Sequence, residues 1–155
     1  MRRFLVDTNV IVDVLSRDPV WFQWSADTLA RCAAEGPLAI NPIIYAELAV
    51  GFPRVEVLDA ALPSPDWVRL PLPWHAGFLA GRCFGAYRNR GGTRSSPLPD
   101  FYIGAHAAVD DLVVLTRDAA RFRTYFPTVQ LVTPSEGSQS GPANSPVTSS
   151  TPPRR

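Results

Sequence analysis

The chain has 155 residues, 46% of them apolar and 19% charged, with a formal net charge of +1. That length is enough for one domain with a buried core, and the charge by itself selects no class of partner. All fifteen basic residues are arginine, so there is no P-loop lysine, no Schiff-base lysine, and no lysine of the kind that phosphoacceptor switches and many aspartate-based phosphatases keep beside their acidic pocket.

Arg3–Asp7 (RFLVD) reads as a buried strand that ends on a carboxylate, and Thr8 and Asn9 follow before the pattern turns helical over Val10–Leu15. Asp7 or Thr8 could simply cap that helix, or Asp7 could face a cation. A second helix is predicted over Trp24–Glu35. Trp21, Phe22 and Trp24 are more aromatic surface than this stretch alone can bury; core packing is the first reading and a partner groove the second. A strand over Pro37–Ile40 leads to a helix over Pro42–Gly51. Taking Ile43 as zero and about 100° per residue, Ala46 falls near about 300°, Glu47 near about 40° and Val50 near about 340°. Glu47 is therefore expected inside an apolar stripe, where a carboxylate must be protonated, paired with an arginine or bound to a cation.

Further helices are predicted over Val55–Leu62 and His75–Arg88, with a strand over Trp67–Pro71 between them. The segment Tyr87–Arg94 (YRNRGGTR) then joins three arginines, Arg88, Arg90 and Arg94, to a Gly-Gly turn, as a solvated basic loop or a track for a nucleic-acid backbone. In the helix expected over Pro99–Val109, Pro99 suits the first turn and Asp100 sits where a helix N-terminus favours an anion. Gly104, one turn on, leaves room beside it, and His106 points to another face as an ordinary, partly buried histidine. A strand over Leu112–Thr116 is followed by Arg117 and Asp118. Asp118 is a good cap for a short helix over Ala119–Tyr125, and a last strand covers Val129–Val132.

Strands alternating with helices, and apolar on both faces, predict a parallel α/β sheet. Residues 1–134 are expected to form this domain. Residues 135–155, rich in Ser, Pro and Gly, cannot bury enough surface to order themselves and are expected to be a disordered tail. Cys32 and Cys83 lack metal-like spacing and read as free thiols of a cytoplasmic protein. The apolar run before Asp7 is too short for a signal peptide, and no run approaches a membrane span.

Asp7 and Asp118 at strand ends, Asp100 at a helix start and Glu47 on a helix face make four carboxylates that could share one pocket. Together they would repel one another unless one kept a proton or a cation intervened. Oxygen-only donors suit Mg²⁺ or Mn²⁺, as one or two ions, and no His/Cys cluster points to zinc.

The blocks LVDTNV, AEL, PDFYIGAHA and LTRD, in this order and spacing, resemble the PIN-domain ribonucleases, and the length and the RFRTYF ending resemble the VapC toxins of toxin–antitoxin operons. The resemblance covers Arg3 to Val132. It implies an α/β/α sandwich with a central parallel five-stranded sheet, and an acidic site of Asp7, Glu47, Asp100 and Asp118, with Asn9 and Thr116 as polar support. It further implies metal-dependent cleavage of RNA, a homodimer, and a small antitoxin that inserts a basic side chain near the acids. Arg88, Arg90, Arg94 and Arg117, with Arg121 and Arg123, are candidates to meet the RNA. Two other readings remain open on the residues: a silent binding module that kept the fold, and a magnesium-dependent phosphotransfer or phosphatase domain, which the missing lysine opposes.

Overall fold

The computed structural model describes residues 1–134, so the expected tail lies outside the described residues. Strands β1 (Phe4–Val6), β2 (Leu38–Ile40), β3 (Trp67–Arg69), β4 (Val113–Leu115) and β5 (Leu131–Val132) form one sheet in the order β3-β2-β1-β4-β5. Every adjacent pair is parallel, with Phe4 opposite both Leu38 and Val113. Each of the three inner strands is buried along its whole length, while β3 and β5 at the edges are partly exposed. Helices on both faces leave the inner strands no side in water, which is why they read as unbroken apolar runs.

The helices are α1 (Thr8–Leu15), α2 (Phe22–Glu35), α3 (Pro42–Ala49), α4 (Val55–Ala61), α5 (Trp74–Asn89), α6 (Pro99–Asp110) and α7 (Ala120–Tyr125). Helix α1 starts two residues before the predicted Val10, because Asp7 Oδ1 accepts the Thr8 amide at 2.8 Å and opens the helix there. Asn41 caps α3 in the same manner, its Oδ1 accepting the Ile44 amide at 3.0 Å. The capping role expected of Asp118 is not observed. The N-cap of α7 is Ala119, with no side-chain bond.

The core is built from Phe4, Leu5, Ile40, Ile44, Ile103 and Leu115 around the sheet, with Phe101 and Phe122 filling the space under α5 and α7. Each such side chain contributes about 2 kcal/mol by leaving water. Gly104 was expected to leave space for a neighbour, and that neighbour is Phe126. A Cβ at position 104 would run into the Phe126 ring, so the glycine lets the end of α7 close onto α6. Helix α3 packs against α1 and α6, and this brings three separate stretches of chain to the carboxyl edge of the sheet.

Candidate active site

In this strand order the chain leaves β1 toward β2 and β3, then returns to add β4 on the other side of β1. Connections diverge between β1 and β4, and a crevice opens at their carboxyl ends. Asp7 is the first residue after β1, and its amide donates to the Leu115 carbonyl of β4 at 2.8 Å. The Asp7 side chain is 5% exposed. Its Oδ2 accepts the Thr116 hydroxyl at 2.8 Å and the Asn9 amide nitrogen at 3.4 Å. The Thr116 hydroxyl in turn accepts the Asp118 amide at 3.1 Å, tying the loop after β4 to Asp7. All of these partners are neutral.

The other acids close around it. Glu47, on α3, accepts the Thr8 hydroxyl at 2.8 Å. Asp100 occupies the first turn of α6 and pairs with Arg121 of α7 at 3.3 Å. Burial pushes the Asp7 carboxyl up to about 7, and the neighbouring Asp100 and Glu47 add to the rise against the pull of the Thr116 and Thr8 bonds. Burial, with Asp100 nearby, also raises Glu47. For Asp100, burial and the Asp118 charge outweigh the opposing pull of Arg121. The carboxylates thus form a series of repelling neighbours, Glu47 and Asp7 with Asp100 and Asp100 with Asp118, in which Arg121 pairs with Asp100.

Asp7, Glu47 and Asp100 lie near enough to feel one another's charge, and Asp118 acts on Asp100 and shares a pocket with it. Among the described residues no three Asp, Glu, His or Cys side chains stand close enough to hold one metal ion. The donor set nevertheless suits a hard divalent cation, being all oxygen and mutually repulsive. Convergence on one ion requires the side chains to rotate; Arg121 holds only one oxygen of Asp100.

Glu47 is not inside a buried stripe. Helix α3 buries Ile44 and Leu48 instead, and Val50, which shares the face of Glu47, is 90% exposed. Glu47 therefore lies half-buried in a shallow groove with Ile43, Val50, Pro99 and Tyr102. His106 is fully buried rather than partly so. Its Nδ1 lies 3.1 Å from the Asn41 amide and its Nε2 3.1 Å from Asp110. Burial lowers its pKa, so the neutral ring accepts from Asn41, donates to Asp110 and steadies the cap of the helix that carries Glu47.

Arg117, a candidate to meet RNA, is paired with Asp13. Its Nε and Nη2 donate to the two oxygens of Asp13 at 2.8 and 3.0 Å, and its guanidinium lies 5.4 Å from the Trp21 ring centre. Asp13 also accepts the Ser25 hydroxyl at 2.8 Å. The sequence reading passed over Asp13, although the projection applied to α3 puts it about 60° from Val10, on the buried side of α1. Trp21 and Trp24 meet edge to face at 6.1 Å, so part of this aromatic surface is spent on covering the ion pair.

The fold and the crevice define a parallel α/β domain with an acidic site at its topological switch point. The PIN domain profile matches residues 4–126, and the chain belongs to the PIN domain family. Among curated proteins, no sequence matches this chain. Among solved structures, the chain is similar to VapBC2 from Rickettsia felis bound to a promoter DNA fragment, at 19% identity and a TM-score of 0.67, covering 86% of this chain and 99% of that one. It is also similar to VapBC from Salmonella typhimurium bound to DNA, at 20% identity and a TM-score of 0.63, covering 86% and 98%. FitAcB from Neisseria gonorrhoeae superposes with a TM-score of 0.62 at 24% identity, covering 83% and 95%.

Proposed function

We propose that this chain is a Mg²⁺- or Mn²⁺-dependent endoribonuclease that acts as the toxin of a toxin–antitoxin pair. The observation that carries the reading is Asp7, a buried carboxylate held at the switch point by neutral donors only, with Asp100 and Glu47 as its acidic neighbours. A buried carboxyl without a cationic partner keeps a proton or takes up a cation. Asp7, Glu47, Asp100 and Asp118 would hold the metal. When bound, it supplies a water of lowered pKa and stabilises charge on the phosphate and the leaving 3′ oxygen. Thr116 and the Thr8 amide fix the Asp7 carboxylate, the Thr8 hydroxyl fixes Glu47, and Asn9 bridges Asp7 and Thr116.

The loop after α5 suits the RNA backbone. It turns at Gly91, whose φ of 90° favours glycine, and Arg88 donates to the Arg94 carbonyl at 2.7 Å, so the loop is braced while Arg90 and Arg94 stay exposed. Replacing Arg88, Arg90 and Arg94 together with Ala raises the apparent KM for RNA and flattens its dependence on salt. An unchanged salt response removes the loop from the substrate surface.

The antitoxin partner is supported by likeness to VapBC and FitAcB. A guanidinium from such a partner would meet the carboxylates as Arg121 already meets Asp100. A homodimer and a cytoplasmic location belong to the same reading. Among the described residues, no helix is long and apolar enough to cross a membrane.

The test is sequencing of RNA 5′ ends after brief expression of the wild type and of Asp7→Asn. The wild type is expected to create new 5′ ends at defined positions, and the folded variant none. A folded Asp7→Asn that cuts at the wild-type rate overturns the assignment. A wild type that yields no new ends, and whose melting temperature Mn²⁺ leaves unchanged, favours a silent binding module of the same fold.

A further inference from the structure

Beside Asp100 and Asp118, a pocket of about 360 Å³ opens between α5, α6 and α7, with Tyr87 and Tyr125 among its walls. The two tyrosine rings stand 6.3 Å apart at 70°, and both rest on the buried Phe101, at 5.6 and 5.2 Å. Each carries a guanidinium: Arg121 lies 5.9 Å from the Tyr87 ring centre, and Arg90 lies 5.3 Å from that of Tyr125. A metal site needs none of these aromatic groups. Half-exposed aromatic rings capped by arginine planes offer what an unpaired nucleobase seeks, a π-face or a planar cation to stack on, with charge for the adjoining phosphate.

We propose that this pocket is a nucleotide subsite next to the cleavage centre. The base of a single-stranded RNA residue stacks on Tyr125, with Tyr87, itself stacked on Phe84, as a side wall, and its phosphate pairs with Arg121 and Arg90. The assignment rests on the ribonuclease reading above and adds to it the contact that selects a base. Arg121 links the two. It pairs with Asp100 at 3.3 Å and borders the pocket, so a phosphate that draws the guanidinium away frees Asp100. Tyr125 orients the base and is not a catalytic residue.

The test uses the full chain, metal-free in chelator, titrated in the NMR tube with AMP, GMP, CMP, UMP and, as the base-free control, ribose 5-phosphate. At least one nucleotide is expected to bind about fivefold or more tighter than ribose 5-phosphate, the range that stacking supplies, with shifts at Tyr87 and Tyr125. Tyr125→Leu, which keeps an apolar side chain against Phe101, erases the preference. Tyr125→Phe retains it, and Arg121→Ala weakens all five ligands. Equal affinity for all five, no binding of any, or a preference that survives in Tyr125→Leu overturns the subsite. If base preference is absent while Asp7-dependent cleavage is present, the subsite alone falls. If base preference appears and no RNA is cut, the ribonuclease reading falls and the pocket stands as a nucleotide site.

Discussion

Two buried aspartates lie six residues apart at the start of the chain, and their surroundings are opposite. Asp13 is 1% exposed and fully compensated, with both oxygens on the Arg117 guanidinium, a third bond from Ser25, and Trp21 covering the cation. Asp7, 5% exposed, is also buried but faces only neutral donors and two further carboxylates. Charge burial explains the contrast. A carboxylate whose desolvation is offset by a fork of guanidinium hydrogen bonds holds structure together. One held in place by neutral donors alone keeps a proton unless a cation takes its place.

Breaking the compensated pair should have the largest effect on stability. Arg117→Ala leaves Asp13 buried and unpaired, and should cost about 3 kcal/mol in urea unfolding. A loss below about 1 kcal/mol would make the pair an ordinary surface bridge. The change in Asp7 has the opposite sign. Its carboxyl keeps a proton in the folded state up to about pH 7, against an ordinary value of 3.8. The folded state therefore binds the extra proton between these values, and the wild type loses stability as pH rises through that window. Metal-free Asp7→Asn escapes the loss, and its advantage over wild type should grow by about 2 kcal/mol between pH 5 and pH 8. An advantage that does not change with pH would show Asp7 to be solvated or paired.

Thr116→Val tests how the uncompensated site is held. Loss of the hydroxyl that donates to Asp7 Oδ2 should cost about 1 kcal/mol and move the Asp7 transition to higher pH. A transition that stays in place would mean that the Thr8 amide and Asn9 suffice. Trp21→Leu, which removes the ring over Arg117, should have the smallest effect, about 0.5 kcal/mol, because Asp13 still holds the guanidinium.

The fold was largely legible in the sequence, and the reason lies in the sheet. Phe4–Val6, Leu38–Ile40 and Val113–Leu115 are buried on both faces, so their apolar runs stand out between the longer helical segments. The acids at strand ends could be found because parallel α/β topology sends the ends of β1 and β4 to one edge. What failed was the local projection. Helix α3 is apolar on nearly every side, so its pattern could not say whether the stripe through Glu47 or the one through Ile44 and Leu48 meets the core. The Asp13–Arg117 pair joins residues 104 positions apart, and no spacing rule links them. Its trace in the sequence was a carboxylate on the apolar side of a short helix, the same signal that drew attention to Glu47. Asp118 fits a cap by residue type, yet α7 begins after Ala119.

The most direct test of the contrast is calorimetric titration of Mn²⁺ into the wild type and Asp7→Asn at pH 6, repeated in buffers of different ionisation enthalpy. A cation that replaces the proton on Asp7 must release it. The wild type should bind Mn²⁺ with proton release, seen as a heat that changes with the buffer, and Asp7→Asn should bind far more weakly and release fewer protons. No binding by the wild type, or equal binding by both, would contradict the assignment of Asp7 as the centre of a metal-dependent nuclease.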